Sequence, residues 1–361
     1  MDNKNKEKVS IMVNEAMEEL KRYSCYRFKD YAKRFFKRFT GRYVQPRDHI
    51  NWPSGLLANA LVAYYQNHLS LEISLVIKHA LINYYKRFIR SRQKFHYLDN
   101  VVAGYALIDL HQRTGDEQFK EILDQMVKYL KQHPVDGEGS LPYRPAHNNM
   151  HIYADAIGMI CPFLCKYGFT YGDANATNLA IKQIKNFCRN AIDTRSGLPY
   201  HGYEHKSQVR YGIIGWGRAC GWLMMGMVDS LIYMDKDNAD YDEIKQTFRR
   251  LVDKVEAYQR DDGFYPWQLP AREGPIDTSA TAMILYAIAR GIENDILIGI
   301  HRSRLIRGWD ALINAVEDGK LYNCLTECGG FGIYEQKYDA YPWSLGPALS
   351  LFSINVKVMN E

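Results

Sequence analysis

Helical segments in this chain are separated by two kinds of break that alternate along it, and this alternation restricts the possible folds more than any other feature. Apolar residues at three-to-four spacing mark helices over residues 59–65, 74–89, 101–113, 119–131, 156–167, 177–191, 220–234, 241–259, 278–291 and 302–316. Strand-like alternation is nearly absent. One kind of break is short: R-T-G-D-E-Q-F from Arg113, T-Y-G-D-A-N-A from Thr170, M-D-K-D-N-A-D-Y from Met234 and G-I-E-N-D from Gly291. These recur at intervals of roughly 57 to 64 residues. The other kind, over 133–153, 193–218, 261–277 and 317–341, is long and rich in Gly, Pro, His, Tyr and Trp. Helix, short turn, helix, long loop at a fixed period describes a stack of helical hairpins, each too amphipathic to stand alone.

Dividing the chain by that period gives six hairpins, with the N-terminal helix and the final L-G-P-A-L-S-L-F-S helix pairing across a closure. The expected fold is therefore all-α, an (α/α)6 barrel formed as one domain over residues 1–361. An open helical solenoid is the alternative, but open arrays bind along helix faces and keep their loops short. Here one end carries all the elaborate loops, which is where a site would be built.

The 46 basic and 41 acidic residues leave a formal charge of +5. A nucleic-acid binder concentrates a far larger excess, so a modestly positive cleft for a small anionic substrate fits better. The most basic stretch, Y-Y-K-R-F-I-R-S-R-Q-K (84–94), sits at a helix end and reads as a solvated face. No apolar run resembles a signal peptide or a membrane span, so a cytoplasmic protein with no membrane partner is expected. The seven cysteines are odd in number and scattered through apolar contexts, which reads as reduced core thiols. The pairs Cys161/Cys165 and Cys324/Cys328 lack the C-x-x-C spacing of a zinc site, so no metal is expected.

Between Gly215 and Asp229 the sequence G-W-G-R-A-C-G-W-L-M-M-G-M-V-D places Trp216, Arg218 and Trp222 around small residues. Such a stretch is either a packed helix start or a stacking edge with a fixed cation. Asp99 and Asp155 start successive inner helices, and two carboxylates at equivalent points of adjacent hairpins are the arrangement glycosidases use. Plain N-capping is the competing reading of both. The long loops add His147, His151, His201, Trp267 and Trp343. No G-x-S-x-G elbow, phosphate-cradling loop, H-E-x-x-H or dinucleotide fingerprint is present, which argues against serine nucleophiles, phosphoryl transfer and redox work.

Six stretches in order resemble the unsaturated rhamnogalacturonyl and glucuronyl hydrolases, glycoside hydrolase families 105 and 88. They are L-D-N-V-V-A-G-Y (98–105), A-D-A-I-G-M-I-C-P-F-L (154–164), G-L-P-Y-H-G-Y (197–203), W-G-R-A-C-G-W (216–222), D-D-G-F-Y (261–265) and D-T-S-A-T-A-M-I-L-Y-A-I-A-R-G-I (277–292). The resemblance implies an (α/α)6 barrel that removes the 4,5-unsaturated uronic acid left at a non-reducing end by polysaccharide lyases. The implied reaction is hydration: an Asp protonates the C4=C5 bond and delivers water to C5, and the resulting hemiketal opens to expel the next sugar. By motif position Asp155 matches the acid/base and Asp99 the second carboxylate. His201, Trp216, Arg218, Trp222, Tyr153, His151, Trp52 and Met159 match substrate-binding positions, and the bidentate fork of Arg218 suits a uronate carboxylate. The implied partner is a small oligosaccharide carrying an unsaturated uronate, taken by a monomer or homodimer with no cofactor.

Three departures from the family pattern stand out. Cys220 replaces the amide of R-G-N-G-W, Tyr153 replaces a Trp two positions before the acid, and D-A-Y-P-W-S-L-G-P (339–347) is a loose version of the closing motif. A catalytically weakened or inactive carbohydrate-binding barrel is one alternative function. A sugar epimerase-like barrel is another, but that chemistry needs paired late histidines, and after Gly221 only His301 remains.

Overall fold

A computed structural model describes residues 3–24, 49–67, 71–145 and 149–354, with isolated positions 32, 35, 36 and 39. His147 lies outside the described residues. Six inner helices are α2 (Trp52–Asn67), α4 (Gly104–Thr114), α6 (Ala154–Tyr171), α8 (Gly217–Tyr233), α10 (Thr278–Glu293) and α12 (Pro342–Ser353). Six outer helices are α1 (Asn3–Ser24), α3 (Leu71–Ser91), α5 (Glu117–Gln132), α7 (Ala174–Ala191), α9 (Tyr241–Glu256) and α11 (Arg302–Asn314). The inner helices pack in a closed ring, each against the next, and α12 meets both α2 and α1. The structure is thus the expected barrel of six helical hairpins, closed by pairing of the first and last helices.

The burial pattern follows from position in the ring. Outer helices such as α9 bury one stripe, Ile244, Phe248, Leu251, Val252 and Val255, and solvate the rest. Inner helices touch neighbours on all sides, so α8 is buried without interruption from Gly217 to Leu231. Its closest partner is α6: a Cβ on Gly158 would stand 2.5 Å from the carbonyl oxygen of Trp222. Only glycine permits that approach.

Two of the four short turns share one mechanism. Gly115 and Gly172 take left-handed conformations, with φ of 64° and 72°, and end α4 and α6. Asp116 and Asp173 follow at once and accept hydrogen bonds from Gln118 N and Ala176 N, capping α5 and α7. The G-D dipeptide therefore stops one helix and starts the next.

Every inner helix begins at the end of the barrel that carries the long loops. Within those loops the described residues form short strands: β1 (Ile152–Tyr153), β2 (Gly202–Glu204), β3 (Val209–Tyr211), β4 (Val316–Glu317), β5 (Lys320–Leu321), β6 (Cys324–Leu325) and β7 (Tyr338–Asp339). β1, β2 and β3 make an antiparallel sheet, and β6 pairs with β7. At the opposite end Lys166 pairs with Asp109, while Asp229 accepts from Arg290 at 3.3 Å and Tyr286 at 3.1 Å. Burial pushes the Asp229 carboxyl up, and Arg290 opposes that shift.

His301 sits on the outer ring, where its Nδ1 lies 2.7 Å from Glu256 Oε2. That placement removes it from the loop-built end and with it the histidine an epimerase reading would need. The Glu256 hydrogen bond raises the His301 pKa above 6.5, against burial. A raised folded-state value gives stability that is fully present below the unfolded pKa and lost as pH rises through the folded one. The melting temperature should therefore carry a component that falls as pH rises above 6.5, and His301→Gln should remove that component. An unchanged pH dependence of melting in the variant would contradict this assignment.

Candidate active site

Asp155 is the second residue of α6, whose N-cap is Tyr153, and Asp99 lies in a 3-10 turn, Leu98–Val101, ahead of the Ala103 N-cap of α4. Neither carboxylate is an N-cap, and both turn to other partners. The β1–β2 pairing sets Tyr153 opposite Gly202, and Ala154 N donates to His201 O at 2.9 Å. This register brings His201 Nε2 to 3.1 Å from Asp155 Oδ2. His201 is fully buried, whereas the Asp155 side chain keeps 15% exposure.

Asp99 Oδ2 accepts from Tyr143 Oη at 3.4 Å, and its Oδ1 accepts from Asn100 Nδ2 at 3.3 Å. Burial, then the charge of Asp99, then that of Asp155 push the Tyr143 phenol well above its ordinary value. Tyr143 thus stays a protonated donor within the field of both carboxylates.

A loop between β6 and β7 covers this pair. Phe331 stacks on Tyr153 at 4.1 Å and on Tyr211 at 5.2 Å, with its ring nearly parallel to both. His151 packs at 5.1 Å from Phe331. Tyr334 Oη lies 2.8 Å from His201 Nδ1, and the Tyr334 ring stands 5.4 Å from Trp216 and 6.0 Å from Trp267.

Three inner-helix starts hold the base of the loop. Arg218 donates to Leu325 O at 2.7 Å and to Thr326 O at 2.8 Å, Asp277 accepts from Leu325 N, and Trp343 Nε1 donates to Leu325 O at 3.0 Å. Arg218 is only 2% exposed and lies 4.7 Å over the Trp216 ring. Its guanidinium, expected to meet the substrate carboxylate, here holds two loop carbonyls through Nη1 and Nη2. Trp216 and Trp222 are likewise buried rather than forming an open wall. Trp216 backs His201 at 4.4 Å. Trp222 meets the edge of Trp52, which leans on Trp343, and Tyr341 stacks on Trp343 at 4.4 Å. Met159 is buried one turn beyond Asp155 on α6. Cys220 is also fully buried, and burial pushes its thiol up, so that departure from the family pattern changes wall packing.

The sequence reading assigned no role to Tyr143, Arg144, Phe331 or Tyr334. Arg144 is exposed at the rim, 4.7 Å over Tyr97 and 5.5 Å from the Tyr143 ring. The loop at 317–341 stood out by length, but among 27 tyrosines and 14 phenylalanines nothing local distinguishes these two rings.

A closed ring of helical hairpins is the architecture of the six-hairpin helical barrels. The chain belongs to glycosyl hydrolase family 88, whose sequence profile matches residues 27–359. It is 24% identical over 196 residues to the unsaturated rhamnogalacturonyl hydrolase YesR of Bacillus subtilis, a match covering 53% of this chain and 57% of that protein. A family 105 glycoside hydrolase of C. acetobutylicum superposes with a TM-score of 0.74 at 20% identity, over 89% of this chain and 97% of its own. The unsaturated glucuronyl hydrolase of Bacillus sp. GL1 superposes with a TM-score of 0.70 at 17% identity, over 88% and 89%. At those identities the superpositions establish a shared fold. Among the described residues no helix is long and apolar enough to cross a membrane.

Proposed function

We propose that this protein removes a 4,5-unsaturated uronic acid from the non-reducing end of lyase-generated oligosaccharides, with Asp155 as general acid and base. The observation that carries the reading is the Asp155–His201 pair beside Asp99 and Tyr143, beneath the β6–β7 loop. His201 engages Oδ2 of Asp155, while Oδ1 has no hydrogen-bond partner among the described residues. Oδ1 is therefore the oxygen positioned to move a proton.

In the proposed reaction the electron pair of the C4=C5 bond takes the Asp155 proton at C4, and positive charge develops at C5 and the ring oxygen. Asp99, a carboxylate held by Tyr143 and Asn100, stabilises that charge. Asp155 then takes a proton from water as the water oxygen bonds to C5. The C5 hemiketal opens to a ketone, and the hemiacetal left at C1 collapses and releases the next sugar as its alcohol. All steps use protein side chains and water.

The charge of the substrate suits the site. The positive ends of six inner helices face it, which favours a carboxylate. With Arg218 engaged beneath the loop, the exposed Arg144 is a cation beside the Tyr143 ring. Arg144→Gln should raise KM about tenfold with little change in kcat, because a rim charge aids binding rather than the chemical step. Initial rates over a range of substrate concentrations check this, and an unchanged KM would remove Arg144 from binding.

The deciding experiment offers the purified protein unsaturated disaccharides generated by lyases from pectin, rhamnogalacturonan and glycosaminoglycans. Loss of the ultraviolet absorbance of the C4=C5 bond supports the reading. No loss with any of them overturns it.

A further inference from the structure

We propose that Tyr334 is a positioning residue that fixes the proton arrangement of His201 and, through it, the orientation of Asp155; this rests on Asp155 being the acid/base of the proposed reaction. The geometry forms a directed chain. Ile213 N donates to Tyr334 Oη at the long limit of 3.5 Å, Tyr334 Oη meets His201 Nδ1 at 2.8 Å, and His201 Nε2 meets Asp155 Oδ2 at 3.1 Å. An amide pointing at the phenol oxygen leaves the phenol proton to go to Nδ1. Nδ1 is then an acceptor, so the ring proton sits on Nε2 and donates to the carboxylate. An ionised Asp155 demands the same arrangement from the other end, since it can only accept. Burial pushes the Tyr334 phenol up, which keeps it protonated.

The surroundings add few competing charges. Around His201 lie the rings of Tyr153, Trp216 and Phe331, with Asp155 as its hydrogen-bond partner. Arg218 lies behind Trp216, and Cys328 and Glu327 approach from the covering loop, the Cys328 thiol being pushed up by burial and by Asp155. Tyr334 itself faces Cys328, Asp155 and Tyr153. Orienting Oδ2 through a neutral histidine leaves Oδ1 free to carry the proton without placing a second full charge beside it.

The test is nuclear magnetic resonance of the full chain labelled with nitrogen-15 histidine, with the His201 signal identified by its loss in His201→Gln. At neutral pH the wild type should show Nε2–H with an unprotonated Nδ1. Tyr334→Phe keeps the ring packing against Trp216 and Trp267 but removes the donor. It should show a changed His201 protonation pattern, with kcat about tenfold lower and KM little moved, the size expected for one orienting hydrogen bond. A doubly protonated His201 in the wild type overturns the proposal, as does an unchanged signal in Tyr334→Phe. The wild-type measurement needs no substrate, and His201→Gln serves only to identify the signal. If none of the disaccharides is hydrolysed, the proposed function fails while the histidine signal still decides the relay.

Discussion

Asp155→Asn is expected to lower kcat at least about a thousandfold, the upper range of what one general acid/base contributes. The change is nearly isosteric, and the amide oxygen can still accept from His201 Nε2. What it cannot do is carry a proton to C4 or take one from water. Because the side chain is partly exposed, no buried charge is stranded and the fold should survive. The measurement is the decay of ultraviolet absorbance under single-turnover conditions, with melting recorded alongside. Full activity in the variant would remove Asp155 from the mechanism.

The second large effect is expected at Arg218, and it should be one of stability as well as rate. Its guanidinium donates to two backbone carbonyls, of Leu325 and Thr326, at a site that is 2% exposed. Arg218→Met preserves most of the stem but leaves the Thr326 carbonyl unpaired and Leu325 O with Trp343 Nε1 as its remaining donor, which costs about 1 to 3 kcal/mol. The loop carrying Tyr334 and Phe331 should loosen with it, so kcat should fall too. Arg218→Lys restores one donor at most and should lie between the two. A guanidinium that instead bound the uronate carboxylate would behave differently: the lysine variant would raise KM and leave melting unchanged. Thermal melting beside steady-state kinetics separates these outcomes.

These residues mark the boundary of what the sequence makes legible. The hairpin ring follows from local rules: amphipathic spacing, the G-D turns, and long loops recurring at one point of the period. Each of the ten segments expected to be helical overlaps a helix, and the terminal helices pair across the closure. Asp99, Asp155 and His201 could be singled out because their motifs are contiguous. Side-chain direction in the long loops was not readable, because it depends on what a distant segment brings. The Trp216 to Trp222 stretch looked like an open stacking edge only until residues 324–326, more than a hundred positions later, supplied the carbonyls that bury Arg218. Tyr334 was invisible for the same reason: its partner, His201, is 133 residues away.

The tie between α8 and the β6–β7 loop also sets an order of events during synthesis. Both carboxylates and His201 leave the ribosome well before Leu325 and Tyr334, and the helix that closes the ring, α12, comes last. A nascent chain that has passed His201 but not Leu325 lacks the residues that form the cover and the Tyr334 phenol. On the proposed function, a chain truncated before β6 is expected to be inert however well its earlier hairpins fold.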